Sequence, residues 1–226
     1  MDKKEIIQKI EQFAPPELAE SWDCSGWLVQ TQNKEISKII LSLTVTQDIV
    51  NQALKNNCDM IISHHPLFFV PIEFKKIDIY CAHTNLDRTN GGTTDVLIKK
   101  LGLKTAESAD FLRYIELSTT PDEFAKHLAK ISPNLRYTNN QNKQNLKKIA
   151  FCAGSGSEFI EEAYQKGADA LVTGDIKFHT AVESPIILFD IGHFESEIPV
   201  MDVFEELLSG VETVRAVEKS PFKYTS

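Results

Sequence analysis

The chain has 226 residues, 42% of them hydrophobic, with a formal net charge of −8 and a pI near 5.3. That length and apolar fraction suffice for a sizeable core, as one large domain or two small ones. The acidity excludes a protein whose main task is to hold nucleic acid or an anionic membrane, both of which need a basic surface, but it leaves room for a local positive site such as one made by bound metal ions.

The start, "MDKKEIIQKIEQF", places apolar residues at helical spacing among charges and has neither the apolar core nor the cleavage site of a signal peptide, so it reads as a mature amphipathic helix. No apolar run approaches the roughly 18 residues of a membrane span. Cys24, Cys58, Cys81 and Cys152 are far apart with no CxxC, the pattern of reduced core cysteines in a cytoplasmic protein rather than of disulfides or a zinc knuckle. Next come "KIILSLTV", "TQDIVNQALKNN", "DMIIS", "IDIYCA" and "GTTDVLIKKLG", short Ile/Val/Leu-rich runs alternating with amphipathic segments. This βαβ rhythm predicts an α/β fold with a largely parallel or mixed sheet covered by helices. "PDEFAKHLAKI" reads as a helix opened by Pro121 with acids in its first turn, where the helix dipole favours them, and "TNNQNKQN" (138–145) as a surface loop.

The chain also repeats itself. "KIILSLTVTQDIVNQALKNNCDMIISHH" lies over "KIAFCAGSGSEFIEEAYQKGADALVTGD" without a gap at an offset of 110 residues, with Lys38 on Lys148, Asp59 on Asp169 and Ser63 on Thr173. The register continues: His83 meets His193, Asp87 meets Glu197 and Leu97 meets Leu207. Shared periodicity alone would match the apolar positions but not a paired His-x-x-x-acid. The expectation is two similar βαβ-rich halves related by internal duplication and facing each other across a cleft. Residues 1–118 would form the first half with its N-terminal helix, 119–145 the connecting helix and polar loop, and 146–226 the second half.

Four predicted strands end in polar groups: "MIIS" runs into His64 and His65, "IDIYCA" into "HTNLD", "ALVT" into "GDIKFH", and "IILFDI" into "GHFESE". Ligands of α/β sheets bind beyond the carboxyl ends of the strands. In a helix His193 and Glu197 share a face that Glu195 does not, which selects Glu197. "HTNLD" reads more as a loop, and adjacent His64 and His65 can act together only from a turn, for which Pro66 is suited. Each motif alone also has a plain structural reading: "HHP" as a strand-end turn, "GHFESE" as a solvated acidic helix start, His83 as a hydrogen-bonded core histidine, and His127 as a surface residue. Together, at strand ends related by the repeat, they point to metal. Mixed imidazole and carboxylate ligands suit Zn, Fe, Mn or Co, and such a cluster holds two ions bridged by a carboxylate. "CAGSGSEF" (152–159) could bring backbone N–H groups to an anion, but Ser155 and Glu158 also make a capping box.

With these residues assembled, the chain resembles the Nif-three-like family, known as GTP cyclohydrolase type-two homologues. "ESWDCSGWLV", "SHHPLFF", "AHTNLDRTNGGTTD", "CAGSGSEFI", "GADALVTGDIKFH" and "DIGHFESE" look like the family's blocks, in order, through nearly the whole chain. Cys24 and Gln30 depart from its usual Asn and Gly. The resemblance implies two α/β domains, two divalent metal ions, and a ring-like homohexamer. Carried over position by position, it implies His64, His65, Asp87, His193 and Glu197 as metal ligands, with Glu197 as the bridge. His83, Asp175 and His179 match positions beside the metals, as catalytic groups that orient ligands or shuttle protons. The function so implied is a metal-dependent hydrolase that activates water against a nucleotide or other small anionic substrate, with GTP ring opening suggested by the family name. The alternative is a non-catalytic metal-binding scaffold or regulatory protein-interaction module. Neither a membrane nor a nucleic acid is an expected partner.

Overall fold

The computed structural model describes residues 1–223. The opening amphipathic stretch is helix α1 (Lys3–Phe13), capped by the Asp2 carboxylate, which accepts from the Lys4 N–H at 2.7 Å, and it buries Ile6, Ile7 and Ile10 along one face. The chain continues through β1 (Gly26–Val29), β2 (Lys38–Ser42), α2 (Gln47–Lys55), β3 (Met60–Ser63), β4 (Asp78–Cys81) and the short helix α3 (Thr84–Arg88). A second run follows: α4 (Thr93–Lys100), β5 (Glu107–Ala109), β6 (Leu112–Thr119), α5 (Pro121–Leu128), β7 (Arg136–Tyr137), β8 (Leu146–Phe151), α6 (Ile160–Gln165), β9 (Ala170–Thr173), α7 (Phe178–Glu183), β10 (Ile187–Asp190) and α8 (His193–Glu197). Helix α9 (Met201–Leu207) and strand β11 (Glu212–Arg215) follow. Among the described residues no helix is long and apolar enough to cross a membrane.

The result is a mixed α/β protein of two compact units, each with its own sheet. One unit is Met1–Gly92 with Val200–Lys219, and its five strands run β1-β4-β3-β2-β11. The other is Thr93–Pro199 with residues 220–223, and its six strands run β5-β6-β8-β9-β10-β7. The repeat is visible in both. β2, β3 and β4 pair in parallel, with Ser42 beside Ser63 and Ser63 beside Cys81. β8, β9 and β10 do the same, with Phe151 beside Val172 and Thr173 beside Asp190. β2, β3 and β4 end at one level, and β8 ends one residue short of β9 and β10, so in each trio the residues after the strands emerge together from one sheet edge.

The unit boundaries differ from those expected at 118 and 146. Helix α4 belongs to the second unit, because Leu97, Ile98 and Leu101 are buried in a cluster with Leu146, Ile149, Phe151 and Ile187. Conversely β11 pairs in parallel with β2 of the first unit, Thr213 beside Ile39 and Arg215 beside Leu41. The repeat equates α4 with α9, so each half gives its last helix to the other half's unit. Sequence similarity marks what was duplicated; the apolar face of α4 decides where it packs.

Several local expectations hold and others do not. Thr120 and Glu123 form a reciprocal capping box at the start of α5, with Pro121 in its first turn. Ser155 and Glu158 do not: the short helix Ser157–Phe159 has Gly156 rather than Ser155 at its N-cap and no side-chain cap, and the Thr173 hydroxyl takes the Gly156 N–H at 2.7 Å instead. His127 is half-buried rather than a plain surface residue, since its Nε2 bonds the Leu101 carbonyl at 2.7 Å. Cys58, Cys81 and Cys152 are buried free thiols and Cys24 is half-buried.

Candidate metal-binding site

In the first unit the strand β3 ends at Ser63 and the chain turns. The His64 N–H donates to the Ser42 carbonyl at 3.1 Å, the His65 N–H to the Leu43 carbonyl at 2.8 Å, and the Ser63 hydroxyl to the His65 carbonyl at 3.0 Å. Those bonds let two adjacent imidazoles share one region, which a straight strand forbids. His64 is fully buried with Nδ1 3.0 Å from the Ala82 carbonyl. A carbonyl only accepts, so Nδ1 carries the proton and the lone pair lies on Nε2, which is 3.5 Å from Asp87 Oδ1. His65 Nδ1 lies 2.7 Å from the Thr44 hydroxyl.

His83 precedes α3, and "HTNLD" is helical there rather than the expected loop, because the His83 carbonyl accepts the amides of Leu86 and Asp87. The turn sets Asp87 beside His64. His83 Nδ1 is 3.0 Å from Asp23 Oδ1. The Asp23 side chain is fully buried and also accepts from the Cys24 N–H, the Ser25 hydroxyl, and the Thr84 N–H and hydroxyl. Burial opposes its charge, yet the hydrogen bonds from His83, Ser25 and Thr84 overcome it and hold this carboxyl well below the usual range. The carboxylate fixes the proton on His83 Nδ1 and leaves Nε2 as the working atom. The rings of His64, His65 and His83 have centroids 5.1 to 5.7 Å apart. Each offers one ligand nitrogen, and the three nitrogens lie within 4.8 Å of one another, a group able to hold a metal ion.

In the second unit helix α8 sets His193 and Glu197 one turn apart, Nε2 to Oε2 at 2.9 Å. The other ring nitrogen, Nδ1, is 2.7 Å from Asp175 Oδ2. Glu197 chiefly, then Asp175, pushes His193 up to about 9 against the opposing effect of burial. Asp175 itself is exposed, in a left-handed conformation (φ 56°) at the turn that follows β9. Glu197 is buried over the backbone of Gly154, which has φ +69°, and a Cβ built on Gly154 would overlap its carboxylate. The Gly154 N–H donates to the Ser196 hydroxyl at 2.9 Å, which ties this loop to α8.

The donors suit a borderline divalent cation. Three imidazoles converge in the first unit, and in the second a histidine stands between two carboxylates that compensate positive charge. Asp175 faces Nδ1 of His193, the ring nitrogen turned away from Glu197, where a carboxylate can orient the ring. His179 is exposed on α7 with its ring edge-on to Phe178 at 5.4 Å, and among the described residues it makes no hydrogen bond, so it is drawn into neither group. Sequence reasoning missed Asp23, Thr44 and Gly154. Asp23 stands in "ESWDCSGWLV", where the aspartate beside an aromatic was the available signal; Gly154 showed only as a glycine after a strand.

Residues 1–221 match the family described as Duf34/NIF3 (NGG1p interacting factor 3). A Clostridium perfringens protein named GTP cyclohydrolase 1 type 2 homolog is 34% identical over 263 aligned residues, covering 99% of this chain and 100% of the relative. A Campylobacter jejuni protein of the same name is 31% identical over 248 residues, with 99% and 100% coverage. Among solved structures, reduced HcgD from Methanocaldococcus jannaschii is 28% identical with a TM-score of 0.80 and coverage of 95% and 97%. A Bacillus cereus protein related to NIF3 shares the fold at 20% identity, with a TM-score of 0.85 and coverage of 100% and 99%.

Proposed function

Because the chain belongs to the Duf34/NIF3 family, we propose that it is a divalent-metal-dependent hydrolase acting on a nucleotide or other small anionic substrate. The observation that carries this reading is the gathering of His64, His65 and Asp87, with His64 Nε2 3.5 Å from Asp87 Oδ1 and the ring nitrogens of His64 and His65 within 4.8 Å of each other and of a nitrogen of His83. The metal ligands are His64, His65 and Asp87 of the first unit and His193 and Glu197 of the second, for two ions per chain drawn from Zn, Fe, Mn or Co. A divalent metal, when bound, supplies a Lewis acid that acidifies water and polarises a carbonyl or phosphoryl oxygen.

The chain's own residues do the rest. The Ala82 carbonyl keeps the proton of His64 on Nδ1, so Nε2 is committed to ligation. Asp23 holds His83 in the same tautomer, and Nε2 of His83 takes or returns the proton that water attack releases. Asp175 fixes the ring of His193, and bare Gly154 admits the Glu197 carboxylate. The printed name of the Clostridium perfringens relative makes GTP the first substrate to try. By family resemblance the chain assembles as a ring-like homohexamer.

A second reading is a metal-binding scaffold that docks another protein. It is favoured by Phe68, Phe69 and Ile72, which are 69%, 82% and 80% exposed on the segment that follows the two histidines. Elemental analysis joined to a metal-swapped panel of nucleotides and phosphoesters separates the readings. The purified protein should carry metal and hydrolyse a member of the panel, and the His64→Ala, Glu197→Gln double variant should lose both while remaining folded. Full metal retention in that variant removes the ligand assignment. Metal loss with no turnover by the wild type across all metals and substrates favours the scaffold.

A further inference from the structure

We propose that Glu218 is a positioning residue for His65, acting through the Leu43–Thr44 backbone and the Thr44 hydroxyl. All four residues belong to the first unit. Beyond β11 the chain stays alongside the sheet: the Ala216 N–H donates to the Leu41 carbonyl at 2.8 Å, and Val217 exchanges two bonds with the side chain of Gln52 on α2, at 2.8 and 3.0 Å. This carries Glu218 to the end of β2. There its Oε1 accepts from the Leu43 N–H at 2.7 Å and its Oε2 from the Thr44 N–H at 3.1 Å. Leu43 and Thr44 lie past Ser42, the last residue of β2, so no neighbouring strand takes their amides. Consecutive amides reach one carboxylate only if the chain bends between them, and the bend aims the Thr44 hydroxyl at His65 Nδ1, 2.7 Å away.

At the equivalent position the repeat has Gly154, whose left-handed φ of +69° Thr44 does not share, so the two turns differ and only the first unit's presents a hydroxyl. What the hydroxyl adds in the first unit is a hydrogen-bond partner for His65 Nδ1, and in the proposed arrangement it accepts the Nδ1 proton, which leaves the Nε2 lone pair for a metal. Glu218 is half-buried; burial pushes its carboxyl up and the two backbone N–H groups oppose that shift, so the carboxylate is held by those bonds. Since it approaches from a segment about 150 residues downstream of the histidines, it locks the loop without occupying the metal's surroundings.

The inference rests on the reading of His65 as a metal ligand, so its test has one arm with metal and one without. Zn2+ affinity is measured by chelator competition for the full chain and for His65→Ala, Thr44→Val, Thr44→Ser, Glu218→Ala, Glu218→Gln and the Thr44→Val, Glu218→Ala double variant. Thr44→Val and Glu218→Ala should each weaken zinc about 10-fold, Thr44→Ser should restore it, and the double variant should be no weaker than Thr44→Val alone. In the metal-free protein, 15N spectra of the imidazoles should show His65 fixed as the Nδ1–H tautomer in the wild type and Thr44→Ser, and averaged in Thr44→Val and Glu218→Ala. Should Glu218→Ala fail to fold, Glu218→Gln, which keeps one acceptor oxygen, should show a smaller loss of the same kind. If His65→Ala loses zinc while Glu218→Ala binds like wild type with an unaltered tautomer, the proposal falls and the metal reading stands. Additive losses in the double variant also overturn it. If His65→Ala leaves zinc unchanged, the ligand assignment falls, and the tautomer spectra alone decide whether Glu218 positions the ring.

Discussion

Asp23 and His83 form a buried carboxylate–imidazole pair, Oδ1 to Nδ1 at 3.0 Å, across a sequence separation of 60 residues. The carboxylate collects five donors, so it is the point at which the loop after α1 is fastened to the start of α3. Asp23→Asn replaces one acceptor oxygen with a donor facing donors, and should cost about 3 kcal/mol in urea unfolding at pH 7. The pH dependence has a definite sign. The folded-state carboxyl is held below its unfolded value of about 3.9, so its contribution is fully present above that value and fades as pH falls further. The stability gap between wild type and Asp23→Asn should therefore narrow below about pH 4. A gap that stays constant down to pH 3 would show that the charge of Asp23 contributes nothing.

Gly154 and Gly102 make a matched pair for testing the cradle under Glu197. Both are left-handed, with φ of +69° and +71°, but a Cβ on Gly102 meets nothing within 4 Å whereas one on Gly154 overlaps the Glu197 carboxylate. Alanine at either position should cost roughly 1 to 2 kcal/mol of backbone strain. Only Gly154→Ala should also lose bound metal, as read by elemental analysis, because it displaces a proposed ligand. Equal metal content in the two variants would mean that Glu197 is not needed where the structure puts it.

Much of this was legible in the sequence, and the part that was not has a physical cause. The strand trios, the His193–Glu197 helical pair and the start of α5 are short-range: apolar period, spacing, and Pro121 with acids in the first turn fix them locally. The gapless repeat that equates Asp87 with Glu197 pointed to both polar groups. Asp23, Thr44 and Glu218 were hidden because each acts across the fold, and an isolated Asp, Thr or Glu carries no periodic signature. The destination of α4 was hidden for a related reason: its apolar face says that it packs, not on which sheet. His179 shows the converse, a histidine near a strand end in sequence that the chain leaves exposed on α7.

Lys3 offers a test of an anchor that no sequence pattern announced. Its ammonium lies 3.1 Å from both oxygens of Asp78, whose fully buried carboxylate also accepts from the Thr31 N–H at 2.6 Å and the Thr31 hydroxyl at 3.0 Å. Asp78 opens β4, so the pair pins α1 to the sheet that carries the histidines. Lys3→Met leaves the carboxylate buried with neutral partners alone and should cost about 3 to 5 kcal/mol. Chemical unfolding monitored by tryptophan fluorescence measures it, since Trp27 lies 5.4 Å from the Lys3 ammonium. A loss under 1 kcal/mol would mean that the Thr31 donors alone satisfy Asp78.

The exchange of terminal helices between the halves predicts which fragments of the chain fold. A fragment of residues 1–118 follows the duplicated sequence but carries α4, whose Leu97, Ile98 and Leu101 belong to the other unit's core, and lacks β11, which pairs with β2. It exposes a buried helix face and leaves the backbone edge of β2 without a partner, both strong drives to aggregation. Residues 93–199, by contrast, contain all six strands of the second sheet and the helix that packs on it. The 93–199 fragment should give dispersed amide spectra and a cooperative thermal transition, and the 1–118 fragment should give neither. Appending residues 200–219 to 1–92 through a flexible linker should restore cooperative unfolding to the first unit, because the added segment returns β11 to β2 and Glu218 to Leu43 and Thr44. If 1–118 unfolds cooperatively while the linked form does not, the duplicated sequence rather than the packing of α4 and β11 defines the folding unit.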